Sequence, residues 1–321
     1  MKSLVIPVYK NEGSLSELLV TLNCLGRKLE NGLEVIFVID GSPDKCEEIL
    51  RKELSNVTFH SQLICHSRNF GSFAAIRTGM AAANGDLIAV MAADLQEPVE
   101  LIEEFFRTLE TEPYDVCLGT RRSRHDSMGT RISSAVFWYL YRNLVMPQIP
   151  AGGIDVFACT RNVARVICQF TESHSSLVAQ IVWIGFRRKL VAYDRLPRKA
   201  GRSAWRIKHR YQYMLDSVFS FTDRPLKLIT LIGIMGMLLS IVYGSILIVA
   251  RLGGYIISGS YSALAVMILF SLFLNLFCMG IVGQYVWRIY ENSKQRPLSI
   301  IRESVSFQAS TKIGKDEEII K

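Results

Sequence analysis

The sequence predicts an α/β protein that carries a helical membrane hairpin in its last third. Three patterns support this prediction. Short β-branched segments alternate with helical ones over residues 1–120, two long uncharged segments occur near the end, and basic residues cluster between these regions. The chain has 321 residues, 50% of them apolar, and a mean hydropathy of +0.23, which is high for a soluble enzyme. This composition excludes a disordered chain.

The first 120 residues predict a Rossmann-like wound sheet with parallel strands. Strands are expected at residues 3–9, 34–40, 61–66, 86–92 and 115–119, and helices at 14–29, 44–54, 72–84 and 98–110. Ligands bind beyond the carboxyl ends of the strands in such sheets. Functional residues are therefore expected in the segments that follow the strands, at residues 7–12, 40–44, 67–71 and 94–98.

Two segments are predicted to span a membrane. Residues 228–250 and 263–287 form runs of 23 and 25 residues without a charge. At about 1.5 Å per residue, each run exceeds the roughly 30 Å thickness of the hydrocarbon layer. The N-terminus shows no signal-peptide pattern, and basic residues flank the outer ends of the hairpin. The positive-inside rule then predicts a multi-pass protein of the inner (cytoplasmic) membrane, with the N-terminal domain and both termini in the cytoplasm.

A basic segment precedes the hairpin. Residues 187–210 contain ten Lys or Arg and a single acid, Asp194. Nucleic acid, lipid head groups and a phosphorylated substrate are the candidate anionic partners, and the neighbouring hairpin favours the last two; a merely solvated basic face remains an alternative. Residues 204–223 mix aromatic and basic side chains, which predicts an interfacial helix. The predicted divisions are a domain at 1–203, an interfacial region at 204–225, the hairpin at 226–290 and a tail at 291–321.

Several protein classes are disfavoured because their motifs do not occur. The chain has no G-x-G-x-x-G after the first strand, no P-loop, no H-E-x-x-H and no G-x-S-x-G. Its seven cysteines are scattered and include no C-x-x-C, which indicates structural thiols rather than a zinc site or a disulfide framework. What remains is a set of acids at strand ends beside a basic segment, a combination that suits a metal-bridged, phosphate-bearing donor.

Five motifs resemble one known family. They are I-P-V-Y-K-N-E at 6–12, D-G-S-P-D at 40–44, S-R-N-F-G-S-F-A-A-I-R-T-G at 67–79, A-D-L-Q-E-P at 93–98 and R-L-P-R-K-A-G-R-S at 195–203. Together with the hairpin, they resemble the inverting GT-A glycosyltransferases of family 2, in particular the polyprenyl-phosphate glycosyltransferases that include bactoprenol glucosyltransferases and dolichol-phosphate mannose synthases. The resemblance covers about residues 1–290.

The resemblance implies a GT-A fold and one reaction. A single sugar, expected from a UDP-hexose or UDP-N-acetylhexosamine, would be transferred with inversion to undecaprenyl phosphate at the cytoplasmic membrane face, for cell-surface polysaccharide or glycan modification. The implied partners are the nucleoside diphosphate sugar, undecaprenyl phosphate and membrane lipids, with no nucleic acid. A homo-oligomer and a flippase partner are compatible with this role.

The resemblance also assigns site residues. The donor base and ribose would lie near Pro7, Tyr9, Glu12 and Asp40, and the donor diphosphate would lie under Arg198 and Ser203. The family pattern D-x-D-x-Q would hold Mg²⁺ or Mn²⁺ through Asp94 and Gln96, although Ala92 replaces its first Asp.

The acceptor side is assigned in the same way. Arg121 and Arg131 would bind the acceptor phosphate, and Asp155 occupies the place of a candidate catalytic carboxylate beside Asp94. Because a phosphate monoester is already mostly dianionic at neutral pH, Asp155 is alternatively expected to position a phosphate-binding Arg or a sugar hydroxyl.

Two other functions are alternatives to this one. A processive polysaccharide synthase would be expected to show Q-x-x-R-W and more spans, but residues 180–183 read Q-I-V-W. A catalytically silent homologue, acting as a membrane scaffold or sugar-nucleotide sensor, is motivated by Ile39, Ala92 and Ala204, which replace expected polar residues.

Overall fold

The computed structural model describes residues 1–29, 32–122, 138–139, 141–143, 145–150, 153–172, 175–197, 207–253 and 261–310. Within these ranges one mixed sheet of eight strands forms the α/β domain, and two long apolar helices lie between its seventh and eighth strands along the chain. The predicted class, a wound α/β sheet followed by a helical hairpin, is confirmed.

The sheet has the order β7-β5-β6-β4-β1-β2-β3-β8. β1 pairs in parallel with β2 and β4, β2 with β3, and β5 with β7, whereas β6 is antiparallel to β4 and β5 and β8 is antiparallel to β3. The strands are β1 (Lys2–Val8), β2 (Leu33–Ile39), β3 (His60–His66), β4 (Leu87–Val90), β5 (Val116–Arg121), β6 (Val156–Thr160), β7 (Arg188–Tyr193) and β8 (Ile301–Phe307).

The helices of the described ranges cover both faces of this sheet and continue beyond it. They are α1 (Leu15–Lys28), α2 (Cys46–Glu53), α3 (Ser72–Ala82), α4 (Val99–Thr111), α5 (Arg161–Cys168), α6 (Leu177–Trp183), α7 (Ile207–Phe221), α8 (Arg224–Leu252) and α9 (Tyr261–Ser293). The five strands and four helices predicted for the first 120 residues are all present, with ends that differ by no more than two residues.

Two hydrophobic clusters, one on each face of the sheet, explain why the sequences of the central strands are continuous runs of apolar residues. Alternate residues of β2 point to opposite faces: Phe37 packs in one cluster with α1, α2 and α4, and Val38 packs in the other with α3, α5 and α6. All seven residues of β2 are buried. A parallel sheet covered by helices on both faces therefore loses the alternation of polar and apolar residues.

The last strand was not predicted. β8 follows the helical hairpin and adds an antiparallel strand to the edge formed by β3. Its sequence gives a weak signal because most of its residues are exposed. Ion pairs to α2 hold it in place: Arg302 lies 2.6 Å from Glu47, and Glu303 lies 2.6 Å from Arg51. The tail that follows the hairpin thus returns to the sheet.

α8 and α9 are long and apolar enough to cross a membrane. The candidate spans, Arg224–Tyr243 and Phe270–Ser293, have mean hydropathies of 2.1 and 1.5, and none of their most apolar stretches is buried inside the protein. An ion pair between Asp216 of α7 and Arg288 of α9, with a distance of 2.8 Å, connects these two helices. Two exposed apolar helices of this length are therefore present in the region where two membrane spans were expected.

Candidate active site

The site is defined by the point at which the strand order reverses. The chain passes from β1 outward to β2 and β3, and β4 then lies on the other side of β1. β1 pairs with β4 only as far as Val5, but it continues along β2 to Val8. Pro7, which has no N–H to donate, lies in this extension. The strands therefore separate beside Pro7, and such a switch point is where wound sheets bind ligands.

The segment after β1 is anchored to the start of α2. The backbone N–H of Glu12 donates to Asp44, and the Glu12 carboxylate accepts from the backbone N–H of Lys45 at 3.1 Å. The ammonium group of Lys10 lies 5.3 Å from the ring centroid of Tyr9. Tyr9 is half-buried and Glu12 is exposed. The structure thus brings the predicted donor residues Pro7, Tyr9 and Glu12 to one edge of the sheet.

Asp40, at the end of β2, has a different environment. It is 2% exposed, and its carboxylate accepts from the His66 ring at 2.9 Å and from the backbone N–H groups of Phe70 and Gly71 at 2.8 and 2.7 Å. Both carboxylate oxygens are used inside the protein. Asp40 therefore holds the loop of residues 67–71 in front of α3, where its negative charge is favoured by the helix N-terminus.

The β4 loop, residues 91–98, carries the predicted metal ligands. Asp94 is 9% exposed and accepts from the backbone N–H of Gln96 at 3.4 Å. Leu95, between them, has a φ of 55°, a left-handed conformation that is costly for a branched side chain. The Gln96 side-chain oxygen accepts from Arg195 at 2.6 Å. Sequence reasoning placed Asp94 and Gln96 in one loop, and the structure adds Arg195 as a cation beside them.

Glu97 belongs to the same loop and was missed by the sequence analysis. Its side chain lies inside the protein, with the residue 2% exposed, and its carboxylate accepts from the backbone N–H of Ala92 at 3.4 Å. Burial and the negative charge of Asp94 raise the pKa of Glu97 to about 7, against the opposing effect of Arg195. The sequence shows only an acid directly before Pro98, and no local pattern indicates that it is buried.

Asp155 and Arg121 form an ion pair on neighbouring strands. Arg121 ends β5 and Asp155 directly precedes β6, so the antiparallel pairing of these strands brings the side chains together. Arg121 donates from both Nε and Nη2 to Asp155, the second contact being 2.7 Å. The Tyr193 hydroxyl donates to the same carboxylate at 3.1 Å. Burial and the charge of Asp155 raise the pKa of Tyr193, which keeps this hydroxyl protonated.

This pair supports one of the two roles foreseen for Asp155. A carboxylate that accepts two N–H groups of an arginine fixes the orientation of the guanidinium plane. The side chains of Arg121 and Asp155 are 17% and 27% exposed, so solvent or a ligand can reach them. The predicted residues Arg131, Arg198 and Ser203, and also Ala204, lie outside the described residues.

The metal-binding capacity of the site is small. Among the described residues, no group of three His, Cys, Asp or Glu side chains is close enough to hold an ion. Ala92 provides no ligand, which leaves Asp94 and the amide oxygen of Gln96, an oxygen that also accepts from Arg195 at 2.6 Å. This donor set fits Mg²⁺ that keeps several waters and takes further oxygens from a nucleotide, since Mg²⁺ commonly binds through one or two carboxylates plus phosphates.

Comparison with known proteins places the chain in a family. It is 32% identical over 315 residues to an undecaprenyl-phosphate 4-deoxy-4-formamido-L-arabinose transferase of Photorhabdus laumondii, covering 94% of both chains. It is 30% identical to a bactoprenol glucosyl transferase of Shigella phage SfV, covering 94% of this chain and 97% of the relative. A crystal structure of glucosyl-3-phosphoglycerate synthase from Mycobacterium tuberculosis with Mn²⁺, UDP and phosphoglyceric acid matches with a TM-score of 0.49 and 16% identity, covering 70% of this chain and 80% of that one.

The family model for glycosyl transferase family 2 matches residues 3–166, which include the ends of β1, β2, β4 and β5 and the Asp155 position. The resemblance suggested by the five motifs is therefore confirmed. The chain is a glycosyltransferase and belongs to glycosyl transferase family 2.

Proposed function

We propose that this protein transfers one sugar from a nucleoside diphosphate sugar, a UDP-hexose or UDP-N-acetylhexosamine, to undecaprenyl phosphate at the cytoplasmic face of the inner membrane, with inversion at the anomeric carbon. The names of the two relatives support a polyprenyl-phosphate acceptor. The two apolar helices support a substrate that resides in the bilayer.

One observation carries the proposal: the β4 loop is joined directly to the segment that leads to the apolar helices. The backbone N–H of Leu196 donates to the carbonyl of Gln96 at 2.9 Å, and Arg195 donates to the Gln96 side chain at 2.6 Å. The chain then continues to α7, which is ion-paired to α9. A sugar donor at the β4 loop would therefore lie beside the part of the chain that meets the membrane surface.

The reaction needs few groups from the protein. An oxygen of the acceptor phosphate forms a bond to the anomeric carbon, and the bond from that carbon to the donor diphosphate breaks with its electron pair. No proton has to be removed, because a phosphate monoester is mostly dianionic at neutral pH. Arg121, oriented by Asp155 and Tyr193, would bind the acceptor phosphate and align it for attack. Pro7, Tyr9 and Glu12 would lie along the donor nucleoside, and Arg198 and Ser203 over its diphosphate, with Arg131 as a second acceptor contact.

Asp94 and Gln96 would hold a divalent metal ion against the donor diphosphate. When bound, the ion would neutralise the charge that develops on the departing group. Arg195 supplies a positive charge in the same place, because it already contacts Gln96. With Ala at position 92, the metal ion would be bound less tightly. The charge of Arg195 would partly compensate by helping to neutralise the diphosphate.

The proposal is tested with the full-length protein in lipid nanodiscs. Radiolabelled UDP-hexoses and UDP-N-acetylhexosamines are incubated with undecaprenyl phosphate, and the lipid extract is analysed by mass spectrometry. We expect a product of undecaprenyl phosphate plus one sugar from one donor. Undecaprenol, the matched acceptor without the phosphate, should give no product. Equal transfer to undecaprenol, or no lipid-linked product with any donor, would contradict the proposal.

A further inference from the structure

A line of four polar side chains runs through the domain from the end of β2 to the segment behind the helical hairpin. The His66 ring contacts Asp40 through Nδ1 and Thr78 through Nε2, each at 2.9 Å, and the Thr78 hydroxyl lies 2.8 Å from the Ser299 hydroxyl. His66 is 1% exposed, and Thr78 is 8% exposed. The line thus connects parts of the chain that are 221 residues apart.

The first end of this line fixes the loop of residues 67–71, called the β3 loop below. Asp40 accepts from the backbone N–H groups of Phe70 and Gly71, and the Phe70 ring stands edge-on to His66 with a centroid distance of 5.6 Å. Gly41 packs against the same loop so closely that a Cβ atom there would lie 2.4 Å from the Arg68 carbonyl carbon. A shift of Asp40 would therefore move the β3 loop.

The second end belongs to the segment that follows α9. The backbone N–H of Ser67, the first residue of the β3 loop, donates to the carbonyl of Ile300 at 2.9 Å. Ser299, directly before it, contacts Thr78 on α3. β8 then continues along β3. The segment behind the hairpin is therefore hydrogen-bonded both to the β3 loop and to the helix behind it.

The contacts of this line depend on one another because the Thr78 hydroxyl has a single hydrogen. The Asp40 carboxylate can only accept, so Nδ1 of His66 carries a hydrogen. The Thr78 hydroxyl lies near three groups that can receive its hydrogen: Nε2 of His66, the Ser299 hydroxyl and, at 3.0 Å, the carbonyl of Ala74. It can donate to only one of them at a time, whereas His66 and Ser299 can also donate to it. Loss of Ser299 leaves the Thr78 hydroxyl with one partner fewer and changes how its hydrogen is shared with His66.

We infer that His66 is a positioning residue that couples the segment behind the hairpin to the β3 loop, so that donor binding depends on the docking of Ser299. An apolar side chain would be the ordinary choice at a position with 1% exposure, whereas histidine can contact a carboxylate and a hydroxyl at the same time. The inference depends on the proposed function only where a nucleotide is used as the probe.

The first test follows the β3 loop itself and needs no ligand. Hydrogen–deuterium exchange of the Phe70 and Gly71 amides is measured in the full-length protein and in Ser299→Ala. We expect exchange to become about tenfold faster, the factor that corresponds to about 1.4 kcal/mol. Ser304→Ala is the matched control, because Ser304 is an exposed serine of the adjoining strand and should leave exchange unchanged. Unchanged exchange in Ser299→Ala would overturn the inference.

The second test uses UDP alone, by calorimetry. Ser299→Ala and Thr78→Val should each raise the Kd for UDP about threefold to tenfold, and the double variant should be no worse than Thr78→Val, because both remove the same contact. In transfer assays, the donor KM should rise while kcat is kept. Additive effects of the two substitutions on Kd would overturn the coupling.

Two variants of His66 test its two contacts separately. His66→Asn keeps an N–H group near the place of Nδ1 and should retain the contact with Asp40, whereas His66→Gln keeps an acceptor near Nε2 and should retain the contact with Thr78. We expect Asn to protect the Phe70 and Gly71 amides better than Gln. If the wild type binds no UDP, the proposed function fails, but the exchange experiments still decide the coupling.

Discussion

Asp40 and Asp94 stand at equivalent positions, each just beyond a parallel strand of the same sheet, yet the structure uses them differently. Asp40 is 2% exposed and receives three N–H groups from His66, Phe70 and Gly71. Asp94 is 9% exposed and lies beside another acid, Glu97, whose pKa it helps to raise to about 7. Asp40 is held by these buried donors, whereas Asp94 shares its loop with a second acid, Glu97, and with the Arg195 cation.

This difference predicts a structural role for Asp40 and a role in ligand binding or catalysis for Asp94. A carboxylate with its oxygens occupied by buried donors contributes to stability and to the shape of a loop. Two acids in one partly closed loop repel each other unless a cation or a proton joins them, and such sites are typical of catalysis or ligand binding. We therefore expect substitutions at Asp40 to act mainly on folding and on donor affinity, and substitutions at the β4 loop to act mainly on transfer.

The largest effect is expected at Asp94. Asp94→Ala should reduce the rate of transfer by about a hundredfold or more, as is typical when a group that stabilises transition-state charge is removed. The thermal unfolding midpoint should change little. Asp86→Ala is the matched control, because Asp86 has a side chain 79% exposed beside the N-terminal ammonium group. Transfer by Asp94→Ala at the wild-type rate would remove the β4 loop from the chemistry.

The next largest effect is expected at Arg121. Arg121→Ala should raise the KM for undecaprenyl phosphate about tenfold or more, because a hydrogen bond to a charged group contributes about 1.5–3 kcal/mol. Asp155→Asn should have a smaller effect in the same direction, since it weakens the orientation of Arg121 but leaves its charge. Steady-state kinetics with varied acceptor provide the measurement. If Asp155→Asn lowers kcat more than Arg121→Ala does, the Asp155 carboxylate instead takes part in the reaction itself.

Asp40→Asn tests the supporting side of the comparison. The amide keeps the size of the carboxylate but loses the charge and presents N–H groups to other donors. The free energy of unfolding should fall by about 1–3 kcal/mol, the usual cost of a buried polar group left without its partner. Thermal unfolding of the full-length protein in detergent provides the measurement. A variant with unchanged stability and no transfer would place Asp40 in the chemistry.

The smallest effect is expected at Ala92. Ala92→Asp should lower the Mg²⁺ concentration needed for half-maximal transfer severalfold, because it adds a carboxylate at the position of the first Asp in the family pattern. Ala92→Asn is the matched control for side-chain volume and should have a weaker effect. If both variants behave alike, or if a chelator leaves the wild-type rate unchanged, the donor diphosphate is neutralised by arginine and lysine side chains alone.

Much of this account could be predicted from the sequence. The strands β1–β5 were found because their apolar residues are consecutive, and the site loops followed from the ends of those strands. β6, β7 and β8 were missed. β8 is mostly exposed and carries little apolar signal, and its place is set by pairing with β3, which no local pattern specifies.

The environments of the acids could not be predicted in the same way. The strand ends indicated the segments that contain Asp40 and Asp94, and the family resemblance implied that both acids bind ligands. The donors that surround Asp40 come from residues 26 to 31 positions away, and Arg195 reaches Gln96 from 99 positions away. Such partners are set by the packing of the whole domain. The ion pair of Arg121 with Asp155 likewise depends on β6, a strand that was not predicted.

The most direct test of the difference between the two acids is the binding of UDP with and without Mg²⁺, measured by calorimetry on the wild type, Asp94→Ala and Asp40→Asn. The account predicts that Mg²⁺ tightens UDP binding to the wild type and to Asp40→Asn by a similar factor and has almost no effect on Asp94→Ala. An equal Mg²⁺ effect in the wild type and in Asp94→Ala would contradict the assignment of the β4 loop as the metal and diphosphate side of the site.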